Sequence, residues 1–194
     1  SPVILTQGLV RGGVSTEPSP VVVKGVELGS EKTVTGILDS IPTDTMGDHD
    51  VFIGHELARR HGIFEGDSLT IMYFRPTQTP LGIMPKMRTY TVAGVFKSGI
   101  HEYDKTWVFV RLDNLAAVMD KDNAIDFLAI RTSGIDRIDG FRRHLAESLP
   151  VGMFVIDLRE TNARLFAAIK VEKLVVSLII GLIVLVAALN ITSS

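Results

Sequence analysis

An α+β fold followed by a membrane helix is the architecture this sequence predicts, and three observations predict it. Short β-branched and aromatic runs, separated by glycine and proline turns, fill the first hundred residues. From Trp107 onward, strand-like and helix-like patterns alternate. Every lysine, arginine, aspartate and glutamate lies before position 174, and the chain beyond it is almost wholly apolar.

In the first part, residues 3–10, 20–28, 50–53, 68–74 and 89–96 read as strands. Gly12-Gly13, the Ser/Pro stretch 15–20 and Gly66-Asp67 read as the turns between them. A short helix is expected over 55–61, stopped by Gly62 as a left-handed cap, and a helical turn or two over 33–40. In the second part, 107–112 is a strand and Asp113 caps a helix through Met119. Residues 125–132 form a further strand. Ile138, Phe141, Leu145 and Leu149 fall at helical spacing and end at Pro150, and 151–156 is the last strand. The expectation is a two-lobed domain over 1–157: a mostly-β lobe near 20–97 and an α+β lobe near 105–157.

Asp157 and Glu160 have capping-box spacing, and no proline or glycine interrupts the sequence from Leu158 until Gly181. One continuous helix is therefore expected, with 158–173 as a stalk and 174–194 as a transmembrane helix. Those last 21 residues carry no charge, and as a helix they reach about 30 Å, the thickness of a hydrocarbon core. A buried core helix would carry a polar stripe, which this run lacks apart from Ser177 and Gly181. The chain opens on Ser-Pro without an initiator methionine and stops directly after the apolar run, so it is expected to be a piece of a longer polypeptide.

The 194 residues are 46% hydrophobic and 22% charged, with a net charge of −2 and no cysteine. That balance offers no basic surplus for nucleic acid, and the absence of cysteine excludes disulfides, thiol catalysis and sulfur-ligated zinc. His55, Glu56 and His61 miss the zinc-peptidase pattern, because an offset of six sets the two rings about 120° apart on a helix. They read as solvated helix-end residues. His101, Glu102 and Asp104 read as a surface turn, and Asp44, Asp48 and Asp50 miss the calcium-loop register. No nucleophile elbow or phosphate loop occurs. The expectation is no catalytic residues, no metal and no cofactor, and a membrane-anchored periplasmic enzyme is the remote alternative.

The stretch 75–88, RPTQTPLGIMPKMR, is the most unusual. It is a long connection between two good strands, with three prolines and apolar Leu81, Ile83 and Met84 near its apex. Hairpin loops ordinarily run two to five residues, and prolines pre-shape an exposed loop for a partner.

The run from Thr79 through Asp104, TPLGIMPKMRTYTVAGVFKSGIHEYD, resembles the periplasmic domain of LolC/LolE-type permeases, the lipoprotein-releasing ABC transporters. So do Leu165-Phe166, Glu172-Lys173 and LIVLVAALNITSS near the end, and the weaker VVVKGVE and IGHELARRHGIFEGD in order. The resemblance implies a bacterial inner-membrane permease whose soluble domain lies in the periplasm. It also implies a cytoplasmic ATPase subunit, a second permease subunit in a homo- or heterodimer, a periplasmic lipoprotein carrier and lipoprotein cargo. Within the LolC-like branch it implies a carrier-gripping hook, here Thr77, Gln78, Thr79, Pro80, Leu81, Gly82, Ile83, Met84, Pro85 and Lys86. A carrier-binding pad beside it falls on Arg88, with Arg75 standing in for a second basic residue where the entering strand has Thr70 and Met72. Related permeases for macrolide or toxin export, or for cell-division hydrolase control, are the alternative.

Overall fold

Apolar residues recur along six strands, on one face of the longer ones and on both faces of the two five-residue ones, and the strands bury them by closing on one another. The computed structural model describes residues 1–42, 45–74, 85–121, 124–134, 138–150, 153–156 and 163–193. The chain divides into two compact units, Ser1–Arg131 and Thr132–Ser194.

The first unit contains β1 (Pro2–Gly12), β2 (Ser15–Val26), α1 (Leu28–Thr35), β3 (Asp50–Gly54), α2 (His55–His61), β4 (Ser68–Tyr73) and β5 (Lys86–Phe96). After these come α3 (His101–Thr106), β6 (Trp107–Arg111), α4 (Leu112–Met119) and the two-residue β7 (Phe127–Leu128). The strand order is β2-β6-β3-β5-β4-β1-β7, and β1 also pairs with β2, so six strands form a closed ring. Pairs β2–β6 and β3–β5 are parallel, and the other pairs in the ring are antiparallel. Closure removes the free edges that an open sheet exposes.

Side-chain alternation divides the core in two. Val10, Val23, Ile53, Ile71, Val92 and Val108, one from each strand, belong to a single cluster that fills the lumen. Their neighbours Phe52 and Phe109 belong to a second cluster on the outer wall, with Val26, Leu28, Leu38, Ile41 and Phe96. A bulge in the β3–β5 pairing carries Val51↔Val92 to Phe52↔Gly94. The extra residue, Ala93, shifts the alternation, so Val92 and Val95 face the lumen cluster while Phe96 joins the outer one. On that outer wall Lys24 Nζ meets Glu31 Oε1 of α1 at 2.5 Å with both side chains buried, 5.5 Å from the Trp107 ring centroid.

Several expectations are revised by this arrangement. Residues 15–20 continue β2 rather than forming a turn; β6 reaches β2 only from Val22, so Pro18 and Pro20 lie where β2 pairs with β1 alone. The segment from 107 does not begin a separate lobe, because β6 is inserted between β2 and β3 and the first unit runs on to Arg131. The strand expected over 125–132 shrinks to Phe127–Leu128, which pairs only with Pro2 and Val3 at the start of β1, on the edge whose far end, Gly8–Gly12, is taken by β4. Helix α1 starts at Leu28, earlier than expected, and ends at Thr35, with Gly36 in the left-handed conformation. Arg111 rather than Asp113 occupies the N-cap of α4, and Asp113 sits in its first turn. His61 is fully buried, with its Nε2 2.8 Å from Ser19 Oγ, and is not a solvated helix end. Asp104 is also buried within α3, where its Oδ1 accepts from Ser98 N and Oγ at 2.7 Å each.

In the second unit, α5 spans Ile138–Ser148 and α6 spans Ala163–Ser193, 31 residues without a break. Residues 153–156 carry no strand, with no sheet partner for them among the described residues; 151–152 and the expected cap at 157–162 lie outside the described residues. The described side chains of α6 are those of 171–187, and all are exposed. Among the described residues no helix is long and apolar enough to cross a membrane.

Candidate functional site

The stretch singled out in the sequence connects β4 to β5. The register runs Ser68↔Thr91 through Tyr73↔Lys86, so Tyr73 and Lys86 form the last rung among the described residues. Arg75, Thr77, Gln78, Thr79, Pro80, Leu81, Gly82, Ile83 and Met84 lie outside the described residues; Pro85, Lys86 and Arg88 lie within them. Pro85 is exposed, and Lys86, expected at the end of the hook, is the first residue of β5.

Alternation along β5 places Lys86, Arg88 and Tyr90 on one face and Met87 and Thr89 on the other. Tyr90 belongs to the lumen cluster, so Lys86 and Arg88 share the lumen-side face where the ring ends. Arg88 is half-buried, its guanidinium 6.0 Å from the Tyr90 ring centroid. Beneath it the Tyr90 and Tyr73 hydroxyls are 2.8 Å apart in the interior. Burial pushes both phenols upward from their ordinary value, Tyr73 the further, so they stay protonated as a hydrogen-bonded pair. Lys86 reaches sideways, its Nζ donating to Val118 O at 3.0 Å and meeting Asp120 Oδ1 at 3.0 Å and Oδ2 at 3.1 Å.

The outer face at the same place carries methionines and threonines and, among the described residues of β4 and β5, no charged side chain. Met72 is opposite Met87, and Thr70 is opposite Thr89 with their hydroxyls 3.0 Å apart. Met87 is 62% exposed and Phe74 46%. Sequence reasoning looked for a basic pad and passed over this surface. The signal available was the alternation itself, since a polar-face position of an amphipathic strand occupied by methionine needs a reason.

Elsewhere the polar clusters are occupied by the fold. Arg111 bridges Asp48 at 2.6 Å and Asp113 at 2.9 Å. Asp50 Oδ2 accepts from Gly47 N at 2.7 Å, and Glu56 pairs with Arg59 at 2.6 Å. Among the described residues no group of three His, Cys, Asp or Glu side chains is placed to hold a metal.

The chain is similar over its whole length to bacterial transporter proteins of the lipoprotein-releasing type, although no family model matches it. Two curated relatives carry the name "Lipoprotein-releasing system transmembrane protein LolC". One, from Xylella fastidiosa, is 27% identical over 199 residues, covering 100% of this chain and 47% of the relative. The other, from Neisseria meningitidis serogroup B, is 27% identical over 172 residues, covering 88% of this chain and 40% of the relative. The chain is LolC-like along its length, and it spans about half the length of the curated relatives it matches. Among solved structures, the extracellular domain of the noncanonic ABC-type transporter YknZ from Gram-positive bacteria matches 76% of this chain and 73% of its own. That match has 16% identity and a TM-score of 0.43.

Proposed function

We propose that this chain is part of a permease subunit of an ABC transporter that releases lipoproteins from the bacterial inner membrane and passes them to a soluble periplasmic carrier. The observation that carries the reading is the similarity to LolC-named proteins over the full length of the chain. ATP hydrolysis belongs on this reading to a cytoplasmic partner subunit, and a second permease subunit completes the transporter.

The barrel is the rigid part. A closed ring with a continuous lumen core holds the ends of β4 and β5 in fixed register, which suits a scaffold that presents a loop. The hook, Thr77 to Lys86, connects those ends, and on this reading it grips the carrier through the proline-flanked apolar residues Leu81, Ile83 and Met84. Little ordering entropy remains to be lost by such a loop on binding. The outer face beside it, with Met72, Phe74 and Met87, adds contact by apolar burial. Arg88 and Arg75 supply the charge of the pad. From Ala163, α6 extends about 46 Å, a stalk to 173 and then a bilayer span. The span is supported by the charge-free run from 174 onward and by the exposure of every described side chain over 171–187. Motion driven by the ATPase reaches the periplasmic part through that helix.

Replacing Pro80 and Leu81 by glycine tests the reading in the full chain in detergent. Carrier affinity is expected to fall by one to several kcal/mol, as for loss of a hot spot, with the thermal midpoint unchanged within about 0.5 kcal/mol of stability. Unchanged affinity together with a lowered midpoint would make the loop structural and overturn the hook.

A further inference from the structure

Lys86 has two features that a carrier contact does not need. Its Nζ is spent on α4, donating 3.0 Å to the Val118 carbonyl and pairing with both oxygens of Asp120. A cation at the C-terminal carbonyls of a helix is favourably placed against the helix dipole. The second feature is the position of Lys86 on the final rung of β4–β5, opposite Tyr73. Among the described residues no β4–β5 pairing lies beyond it, so a tie at that residue helps to decide whether the end of β5 is held or frays.

Asp120 is unusual in turn. It closes α4 in the left-handed conformation, φ 48°, with its N–H bonded to the Ala116 and Ala117 carbonyls. Among the described residues it is the one non-glycine residue with positive φ. The other left-handed helix ends in this unit, at Gly36 and Gly62, use glycine, the residue for which that conformation costs least. Keeping a carboxylate at the third costs backbone strain, and the contact that this carboxylate makes to Lys86 offers a reason.

We propose that Lys86 is a positioning residue, tied to the C-terminal end of α4 through Val118 and Asp120 so that the first residues of β5 hold a fixed direction, and that it does not itself touch the carrier. The consequence for carrier binding rests on the hook reading above; the tie itself does not.

Four variants of the full chain in detergent separate these roles: Lys86→Met, Asp120→Asn, Asp120→Gly and the exchanged pair Lys86→Asp with Asp120→Lys. Two readouts are taken, amide hydrogen exchange over 86–88 and affinity for the purified lipid-free periplasmic carrier of the source organism. Each single variant is expected to speed exchange over 86–88 and weaken carrier binding about fivefold, the scale of one partly exposed ion pair with its hydrogen bond. The exchanged pair is expected to recover most of both. Asp120→Gly is the sharpest arm, because it relieves the left-handed strain and keeps the helix end while deleting the carboxylate. If Asp120 only caps α4, Asp120→Gly leaves both readouts at the wild-type level, and the proposal falls. If Lys86 contacts the carrier, Lys86→Met alone weakens binding, both Asp120 variants bind normally and the exchanged pair does not recover; that also overturns it. Faster exchange in the single variants, restored by the exchanged pair, in a protein that never binds the carrier would uphold the tie and refute the hook.

Discussion

The tyrosine pair inside the barrel permits a quantitative test of the lumen. Tyr73 and Tyr90 are 0% and 1% exposed, and their hydroxyls are 2.8 Å apart. Among the described residues each hydroxyl has the other as its hydrogen-bond partner. Tyr73→Phe strands the Tyr90 hydroxyl in an apolar lumen, and the expected cost is about 1–3 kcal/mol, the desolvation of one unpaired buried polar group. Tyr90→Phe costs a similar amount. The double variant removes both hydroxyls and leaves two aromatic rings packed among Ile71, Leu69 and Val92, so it is expected within about 1 kcal/mol of wild type. The coupling energy is then about 1–3 kcal/mol and favourable. Urea unfolding of the full chain in detergent reads this through Trp107, the sole tryptophan, which lies on β6 of the same ring. Single variants no less stable than wild type, or a double variant that loses the sum of the two, would refute the buried pairing of the two hydroxyls in a closed lumen.

Further consequences can be measured separately. An added Cβ at Gly54 would stand 2.2 Å from the Asp104 carbonyl oxygen. Gly54→Ala is therefore expected to destabilise by about 1–3 kcal/mol in thermal unfolding, and an unchanged midpoint would mean that β3 and α3 are not in close contact. Burial holds His61 below its ordinary value of 6.5, so below that pH the unfolded chain takes up a proton that the folded one resists. Stability from this residue is complete above about pH 6.5 and is lost as pH falls beneath it, at no more than about 1.4 kcal/mol per unit. Denaturation midpoints at pH 7.5 and 5.5 should converge in His61→Gln, and an equal drop in both proteins would place the acid sensitivity elsewhere. Ile180→Arg is expected to disfavour insertion by a few kcal/mol in a glycosylation-mapping assay, and unaffected insertion would remove the proposed span.

Local pattern made most strands and the Gly62 helix stop readable, because alternation and a left-handed glycine act over a few residues. Ring closure depends on β6 finding β2 and β3 from over fifty positions away, and nothing in 107–112 encodes a partner. That is why these residues looked like the start of a second lobe. Asp104 and His61 looked solvent-exposed because polar residues usually are; their partners Ser98 and Ser19 become visible only once the chain has folded back. At the candidate site the sequence revealed an unusual loop and its neighbouring cations. It did not reveal that Lys86 is committed to Asp120, since 34 positions separate them.

The hook reading is tested most directly by a photo-crosslinking residue placed at Leu81 of the intact transporter in living cells. An ultraviolet-dependent adduct containing the periplasmic lipoprotein carrier, lost when the same residue is placed at exposed Val14 on the β1–β2 turn, is the result expected. Adducts confined to the chain itself, or equal carrier capture from both positions, would contradict the account.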